Sequence, residues 1–164
     1  MKSIIISSIL ILSMILFSGC KNLEDNSDIK KTNSKVISDG GKDMDYVDNL
    51  HMLIDGKKVD ILWENNKTVK EIAMYAKSKR IKIKTSKYDN FEQVGKLPKT
   101  FNSDDKHMKA SPGDIVLYSG NQLVLFFGNN SWSYTKLGKI SGFSNKELTN
   151  LLDDDEKIIE IYFE

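Results

Sequence analysis

One stretch of the sequence limits the possible folds more than any other: residues 111–140, SPGDIVLYSGNQLVLFFGNNSWSYTKLGKI. It contains two short apolar runs, 115–118 and 123–127, which are separated and followed by the turn sequences SGNQ and GNN. Apolar runs of four or five residues between Gly, Asn and Ser are typical of buried strands. Residues 132–140 then alternate in polarity. The stretch therefore predicts an antiparallel meander of three strands.

The segments around this meander also have the periodicity of strands. Residues 50–63 read as a hairpin that turns at Asp55-Gly56, a dipeptide that favours tight hairpin turns. Isoleucine and lysine alternate in 80–85, which predicts a strand with one face in solvent. The last residues, 157–164, alternate in the same way, so we expect the chain to end in a strand.

Two short helices are predicted by capping signals. Thr68 and Glu71 have the spacing of a capping box, and Ser144 and Glu147 repeat it before a second apolar stripe. Residues 102–110 are polar, and we predict a turn there. About eight short strands with two short helices indicate a mainly β fold, a small closed or nearly closed β-barrel whose open ends are covered by the helices.

The first twenty residues, MKSIIISSILILSMILFSGC, have the features of an export signal. Lys2 precedes an apolar stretch at 4–17, which is short for a membrane-spanning helix of about 20 residues and suits the core of a signal peptide. The small residues before Cys20 resemble a bacterial lipobox. That resemblance implies cleavage after Gly19 and a lipid on the Cys20 sulfur. The alternative is an uncleaved anchor helix in which Cys20 is incidental.

These signals divide the chain into three parts. Residues 1–19 are predicted to be a lipoprotein signal peptide, and 20–46 to be the lipidated cysteine with a flexible tether. The tether is rich in Lys, Asp, Asn and Ser and has no strand or helix period, so it cannot bury enough apolar surface to fold. Residues 47–164 are the predicted folded domain. We expect it to lie on the extracytoplasmic face of the cell membrane, with the lipid anchor as its membrane contact.

Composition excludes several classes of function. The chain has 24 basic and 23 acidic residues, a net charge of +1, so it lacks the positive field that holds nucleic acid. The chain has one cysteine and two histidines, which is too few for a disulfide framework and few for a zinc centre. No motif of a serine hydrolase, zinc protease, P-loop or dinucleotide site is present. We therefore expect no metal and no cofactor.

Four ordered segments, 88–98, 111–118, 120–128 and 130–140, carry a resemblance to the bacterial cyclophilin-like domain family. The resemblance covers about residues 48–164. It implies a small closed cyclophilin-type β-barrel with two helices, and it says less about activity, since one fold hosts many functions. Lys136 stands where the family commonly has arginine.

Resemblance to the true cyclophilins would imply peptidyl-prolyl isomerase activity. Their site places an arginine against an apolar trough of aromatic side chains, where it polarises the proline amide. Arg80 is the single arginine of this chain. It opens a predicted strand and lacks the surrounding cyclophilin signature. An extracytoplasmic isomerase therefore stays an alternative, beside a purely structural surface lipoprotein.

Aromatic and amide side chains concentrate near the end of the meander. Phe91, Phe127, Asn130, Trp132 and Tyr134 combine rigid apolar faces with a few polar groups, the chemistry of a recognition surface. The competing interpretation is core packing, because neighbouring residues on a strand face opposite sides and one phenylalanine of the 126–127 pair must point inward. From these residues we predict a non-catalytic module that binds a peptide or a small molecule.

Overall fold

The computed structural model describes residues 46–164. In this part of the chain it contains ten strands and two helices: β1 (Leu50–Ile54), β2 (Lys57–Val59), β3 (Ile61–Trp63), α1 (Lys67–Ser78), β4 (Ile81–Tyr88), β5 (Glu92–Lys96), β6 (Lys106–Ala110), β7 (Asp114–Tyr118), β8 (Gln122–Phe126), β9 (Asn130–Ile140), α2 (Asn145–Leu152) and β10 (Glu156–Phe163). The mainly β prediction with two helices is confirmed, with two more strands than expected. The predicted signal peptide, Cys20 and the tether up to residue 45 lie outside the described residues.

The strands form one antiparallel sheet in the order β2-β1-β10-β4-β5-β8-β7-β9-β3, and β6 pairs with β9 beside this path. The predicted meander is wrong in its third strand, because β9 crosses back to pair with β7 and not with β8. Asp60 alone separates β2 from β3, so the chain passes directly from one edge of the sheet to the other. The Trp63 indole N–H donates a 2.7 Å hydrogen bond to the Leu50 carbonyl, which ties β3 to β1 across this gap. The predicted barrel is therefore nearly closed.

Gly138 lets β3 approach β9 closely. A Cβ atom at this position would lie 2.8 Å from the Leu62 carbonyl oxygen and 3.1 Å from Cγ2 of Ile61. Carbon atoms do not approach a backbone oxygen that closely, so a side chain here would push β3 outward. Glycine at 138 is thus a requirement of the pairing that closes the barrel.

The first helix begins earlier than the sequence predicts. Asn66 is its N-cap, and the Asn66 side-chain oxygen accepts from the Val69 N–H at 2.9 Å. Thr68 lies inside the helix, buried, and its hydroxyl donates to the Asn102 carbonyl. The prediction of a Thr68–Glu71 capping box is wrong, because Glu71 instead accepts hydrogen bonds from Asn102.

The second helix is capped as predicted. The Ser144 hydroxyl accepts from the Glu147 N–H at 3.3 Å, and the Glu147 carboxylate accepts from the Ser144 N–H at 2.7 Å. Both partners of the box lie within four residues, so the tertiary structure has little opportunity to change it.

One wall of the barrel, formed by β5, β8, β7 and β9, is covered on both faces. Leu123 and Leu125 of β8 join the large core inside the barrel, whereas Val124 and Phe126 point to the other side. There they belong to a second, smaller cluster of buried residues: Ala110, Val116, Val124, Phe126 and Tyr134. This second cluster positions the candidate site described below.

The strand β6 helps to cover the second cluster, and it was predicted as a turn. It pairs with the first half of β9, from Lys106 opposite Tyr134 to Ala110 opposite Asn130. Its side chains are mostly exposed, so the sequence lacks the apolar alternation of a buried strand. Backbone pairing to β9, which sequence polarity does not report, makes this segment a strand.

No helix within residues 46–164 combines the length and the apolar character that crossing a membrane requires.

Candidate functional site

A concave cavity of about 340 Å³ lies over the second cluster. Its volume is within the range of small-molecule binding sites. Strands β4, β5, β7, β8 and β9 each contribute to its lining: Tyr88, Glu92, Val94, Tyr118, Gln122, Val124, Asn130, Trp132 and Tyr134. Four of these residues are aromatic, and one is a carboxylate.

Strand register places the carboxylate in the cavity. On the pair formed by β5 and β8, Glu92 is opposite Phe126 and Val94 is opposite Val124. Directly opposed residues of an antiparallel pair point to the same face. Glu92 therefore shares the outer face of the wall with Phe126 and the two valines, and not the large core of the barrel.

Glu92 is buried without a partner. Only 7% of its surface is exposed, and its Oε2 atom is fully buried with no hydrogen-bond donor among residues 46–164. Burial, together with the nearby negative charge of Asp89, raises the pKa of the Glu92 carboxyl to about 7. An unpaired buried carboxylate is costly, so its presence in a cavity indicates a functional site.

Aromatic rings surround this carboxylate. Five rings are in consecutive contact, with centroid separations from 5.6 to 6.5 Å: Tyr88, Phe91, Phe126, Tyr134 and Tyr118. Trp132 lies at the mouth of the cavity and is 57% exposed. The contacts between rings hold the lining rigid, while Trp132 leaves a large apolar surface open to a ligand.

Tyr134 connects the rings to the polar groups. Its hydroxyl accepts a 2.9 Å hydrogen bond from the Asn130 side-chain amide. Burial, and then the charge of Glu92, raises the pKa of Tyr134, so this hydroxyl keeps its proton at neutral pH. The hydrogen bond fixes the Asn130 amide at the edge of the cavity, where it can orient a bound polar group.

The structure brings together three of the five binding residues predicted from the sequence. Asn130, Trp132 and Tyr134 line the cavity. Phe91 packs behind it, stacked on the Phe126 ring at 6.5 Å. Phe127 is buried in the large core, on the opposite face of the wall, and does not line the cavity.

Glu92, Tyr88 and Tyr118 line the cavity but were not predicted as binding residues from the sequence. Each tyrosine is the last residue of its strand, immediately before a turn, so its side chain can fold over the end of the sheet. An aromatic residue at the end of a strand was therefore the sequence feature that could have identified the two tyrosines. Glu92 gave no signal, because Glu92 and Gln93 are adjacent polar residues that look like a loop, yet both are buried.

Arg80 does not reach the cavity. Its guanidinium donates to Glu160 at 2.9 Å and lies 4.3 Å from the centre of the Tyr162 ring. Arg80 precedes β4, whereas Tyr88 ends it, and eight residues of strand span roughly 26 Å. The arginine on which the isomerase alternative depends is therefore remote from the aromatic cavity.

Lys136, at the position where the family commonly has arginine, is also absent from the cavity lining; its amine lies 3.2 Å from Glu64 Oε1. Within residues 46–164 no group of three or more His, Cys, Asp and Glu side chains is arranged to hold a metal ion.

Comparison with known proteins agrees with the observed architecture. No curated protein matches the chain. The sequence model of the cyclophilin-like family matches residues 52–164, which include nearly all the described strands and both helices. The chain therefore belongs to the cyclophilin-like family.

Proposed function

We propose that this domain is a non-catalytic binding module whose ligand, a small organic molecule or a peptide side chain, occupies the cavity at Glu92. The observation that carries the proposal is the buried, unpartnered carboxylate inside an aromatic lining. A ligand that supplies a hydrogen-bond donor would relieve the cost of burying Glu92. The rings would supply apolar contact.

Binding is favoured over proline isomerisation by the positions of the charged residues. An isomerase needs a donor within hydrogen-bond reach of an apolar proline pocket. The lining contains no lysine or arginine, and Arg80 is held by Glu160 at the other end of β4. The cavity instead contains the Glu92 carboxylate, which would repel the carbonyl oxygen of a proline amide.

We expect small ligands to perturb Trp132 and not Trp63, the other tryptophan of the chain. The Trp63 indole donates to Leu50 and lines a different cavity, so a ligand specific to the Glu92 cavity should leave its signal unchanged. The measurement is the NMR shift of the two indole N–H signals in the intact chain in lipid nanodiscs, titrated with an amine, an alcohol, a carboxylate and an amide fragment. Proposed binding is contradicted if no fragment moves the Trp132 signal.

The same sample should catalyse no proline isomerisation in a standard peptide assay. Acceleration above the buffer rate, lost in Arg80→Ala, would favour the isomerase alternative over our proposal.

We also propose that a lipid on Cys20 anchors the chain at the extracytoplasmic face of the membrane. The supporting feature is the lipobox-like sequence at the end of the apolar stretch. Two or more acyl chains suffice for stable anchoring. We expect the intact chain to incorporate labelled palmitate in cells and the Cys20→Ser variant to incorporate none. Equal labelling of both proteins, or labelling of neither, would count against the anchor.

A further inference from the structure

The cavity has a negative interior with no compensating positive charge. Glu92 lines it, and the charge of Asp89 acts on the Glu92 carboxyl. The other lining residues are aromatic, aliphatic or amide side chains. No lysine or arginine of residues 46–164 lines this cavity. An anionic ligand would therefore be repelled.

The aromatic lining favours a positive charge as well. The face of a tyrosine or tryptophan ring carries a partial negative charge and attracts ammonium groups within about 6 Å. Tyr88, Tyr118, Trp132 and Tyr134 all line the cavity that contains Glu92. Such clusters of rings are the usual protein site for organic ammonium ions, and a desolvated carboxylate strengthens the attraction.

A neutral ligand would satisfy the site less well. Burial leaves Glu92 Oε2 without a donor, and the nearest polar groups of the lining do not reach it. A charged N–H donor forms a shorter and stronger hydrogen bond to a carboxylate than a neutral donor does. Val94 and Val124, also in the lining, offer apolar contact for a hydrocarbon stem.

We propose that the ligand of this cavity is an alkylammonium ion, whose N–H groups donate to the Glu92 carboxylate and whose charge lies against the rings of Tyr88, Trp132 and Tyr134. This inference rests on the proposed binding function and specifies its ligand class. The ammonium group can belong to a free amine or to a lysine side chain of a peptide, and both offer the same chemistry.

The affinity should depend on pH through Glu92. The titratable groups around its carboxyl are Asp89 in the preceding turn and the tyrosines Tyr88, Tyr118 and Tyr134 of β4, β7 and β9. Glu92, with its pKa of about 7, is mostly neutral at pH 6 and mostly ionised at pH 8. Alkylammonium binding should therefore strengthen about tenfold between these pH values.

The test compares n-butylammonium with 1-butanol, a neutral molecule of the same length, by calorimetry and by the Trp132 indole signal. The intact chain in nanodiscs of zwitterionic lipid is used at pH 8. We expect n-butylammonium to bind at least tenfold more tightly than 1-butanol, and Glu92→Gln to remove this preference. Glu156→Gln removes the same charge from an exposed residue, paired with Lys84, and should bind like the unchanged protein.

Further measurements distinguish a free amine from a lysine side chain of a peptide, and they identify the results that would overturn the inference. Tighter binding of Nα-acetyl-lysine methylamide than of n-butylammonium would assign the site to peptides, and the reverse order to free amines. If 1-butanol moves the Trp132 signal and n-butylammonium binds no better, the alkylammonium inference is overturned while the binding function stands. If Glu92→Gln keeps the preference, the inference is also overturned. If no probe binds, the alkylammonium inference is overturned, and the binding function fails as well when the carboxylate and amide fragments also leave the Trp132 signal unchanged.

Discussion

Replacing Glu92 with glutamine is expected to make the protein more stable at pH 8, by about 3 kcal/mol in the free energy of unfolding. The reason is the raised pKa of this carboxyl, about 7 in the folded chain against an ordinary value of 4.5. Above pH 7 the folded protein contains an ionised carboxylate buried without a partner, whereas in the unfolded chain water solvates it.

The sign and the pH window follow from proton binding. Between about pH 4.5 and 7 the folded state holds a proton on Glu92 that the unfolded state has lost, so stability falls as the pH rises through this window. Below pH 4.5 the carboxyl is neutral in both states. The stability advantage of Glu92→Gln should therefore grow from pH 4.5 to 7 and then stay constant.

Urea denaturation followed by tryptophan fluorescence at pH 4.5, 6 and 8 measures this effect. Glu156→Gln is the matched control, since Glu156 is exposed and paired with Lys84, and its difference from the unchanged protein should not follow the same window. A Glu92→Gln difference that is the same at all three pH values would contradict the burial of an ionisable carboxyl in the cavity.

The second large effect is expected at Phe126. This ring is fully buried and lies between Phe91 and Tyr134, at 6.5 and 5.6 Å from their centroids. Phe126→Ala should lower the free energy of unfolding by about 3–5 kcal/mol, because the substitution leaves a void that the rigid wall cannot fill. Tyr134 would also lose the ring that supports it in the cavity.

Leucine variants separate the loss of stability from the loss of binding. Phe126→Leu and Phe127→Leu remove similar volumes from adjacent residues, but from opposite faces of the same wall. We expect both variants to lose stability. Only Phe126→Leu should weaken the shift of the Trp132 indole N–H signal on titration with a fragment that binds the unchanged protein. An equal response in both variants would mean that the second cluster does not support the cavity.

If these results hold, Glu92 is a residue at which the protein sacrifices stability for binding. A glutamine or an apolar side chain would suit the folded chain better in the absence of a ligand. A bound ammonium ion would convert the buried carboxylate from a destabilising group into half of an ion pair. The cavity would then contribute to the stability of the folded protein only when it is occupied.

Local sequence signals predicted much of the barrel. The strands β7, β8 and β9, the β7–β8 hairpin, the turn at Asp55-Gly56 and the Ser144–Glu147 capping box depend on residues close together in the chain, and they were predicted from periodicity and turn chemistry. The three lining residues found in advance, Asn130, Trp132 and Tyr134, are close together for the same reason. They alternate along a single strand, β9.

The errors occurred where distant segments decide the structure. Asn66 caps α1 in place of Thr68, and its amide donates to the carbonyl of Lys136, seventy positions along the chain. The strand β6 exists because β9 pairs with it. Glu92 is buried because the wall has a second covered face, which depends on β9 extending past the barrel to reach β6.

The sequence by itself determined the secondary structure that short-range patterns encode, the β7–β8 hairpin and the family to which the domain belongs, but not that β9 pairs with β7. Only the tertiary structure decided which side chains meet in the cavity, and that Glu92 is a buried carboxylate and not a residue of a polar loop. The physical reason is that side-chain period is a local property of a strand, whereas burial of each face depends on what packs against it.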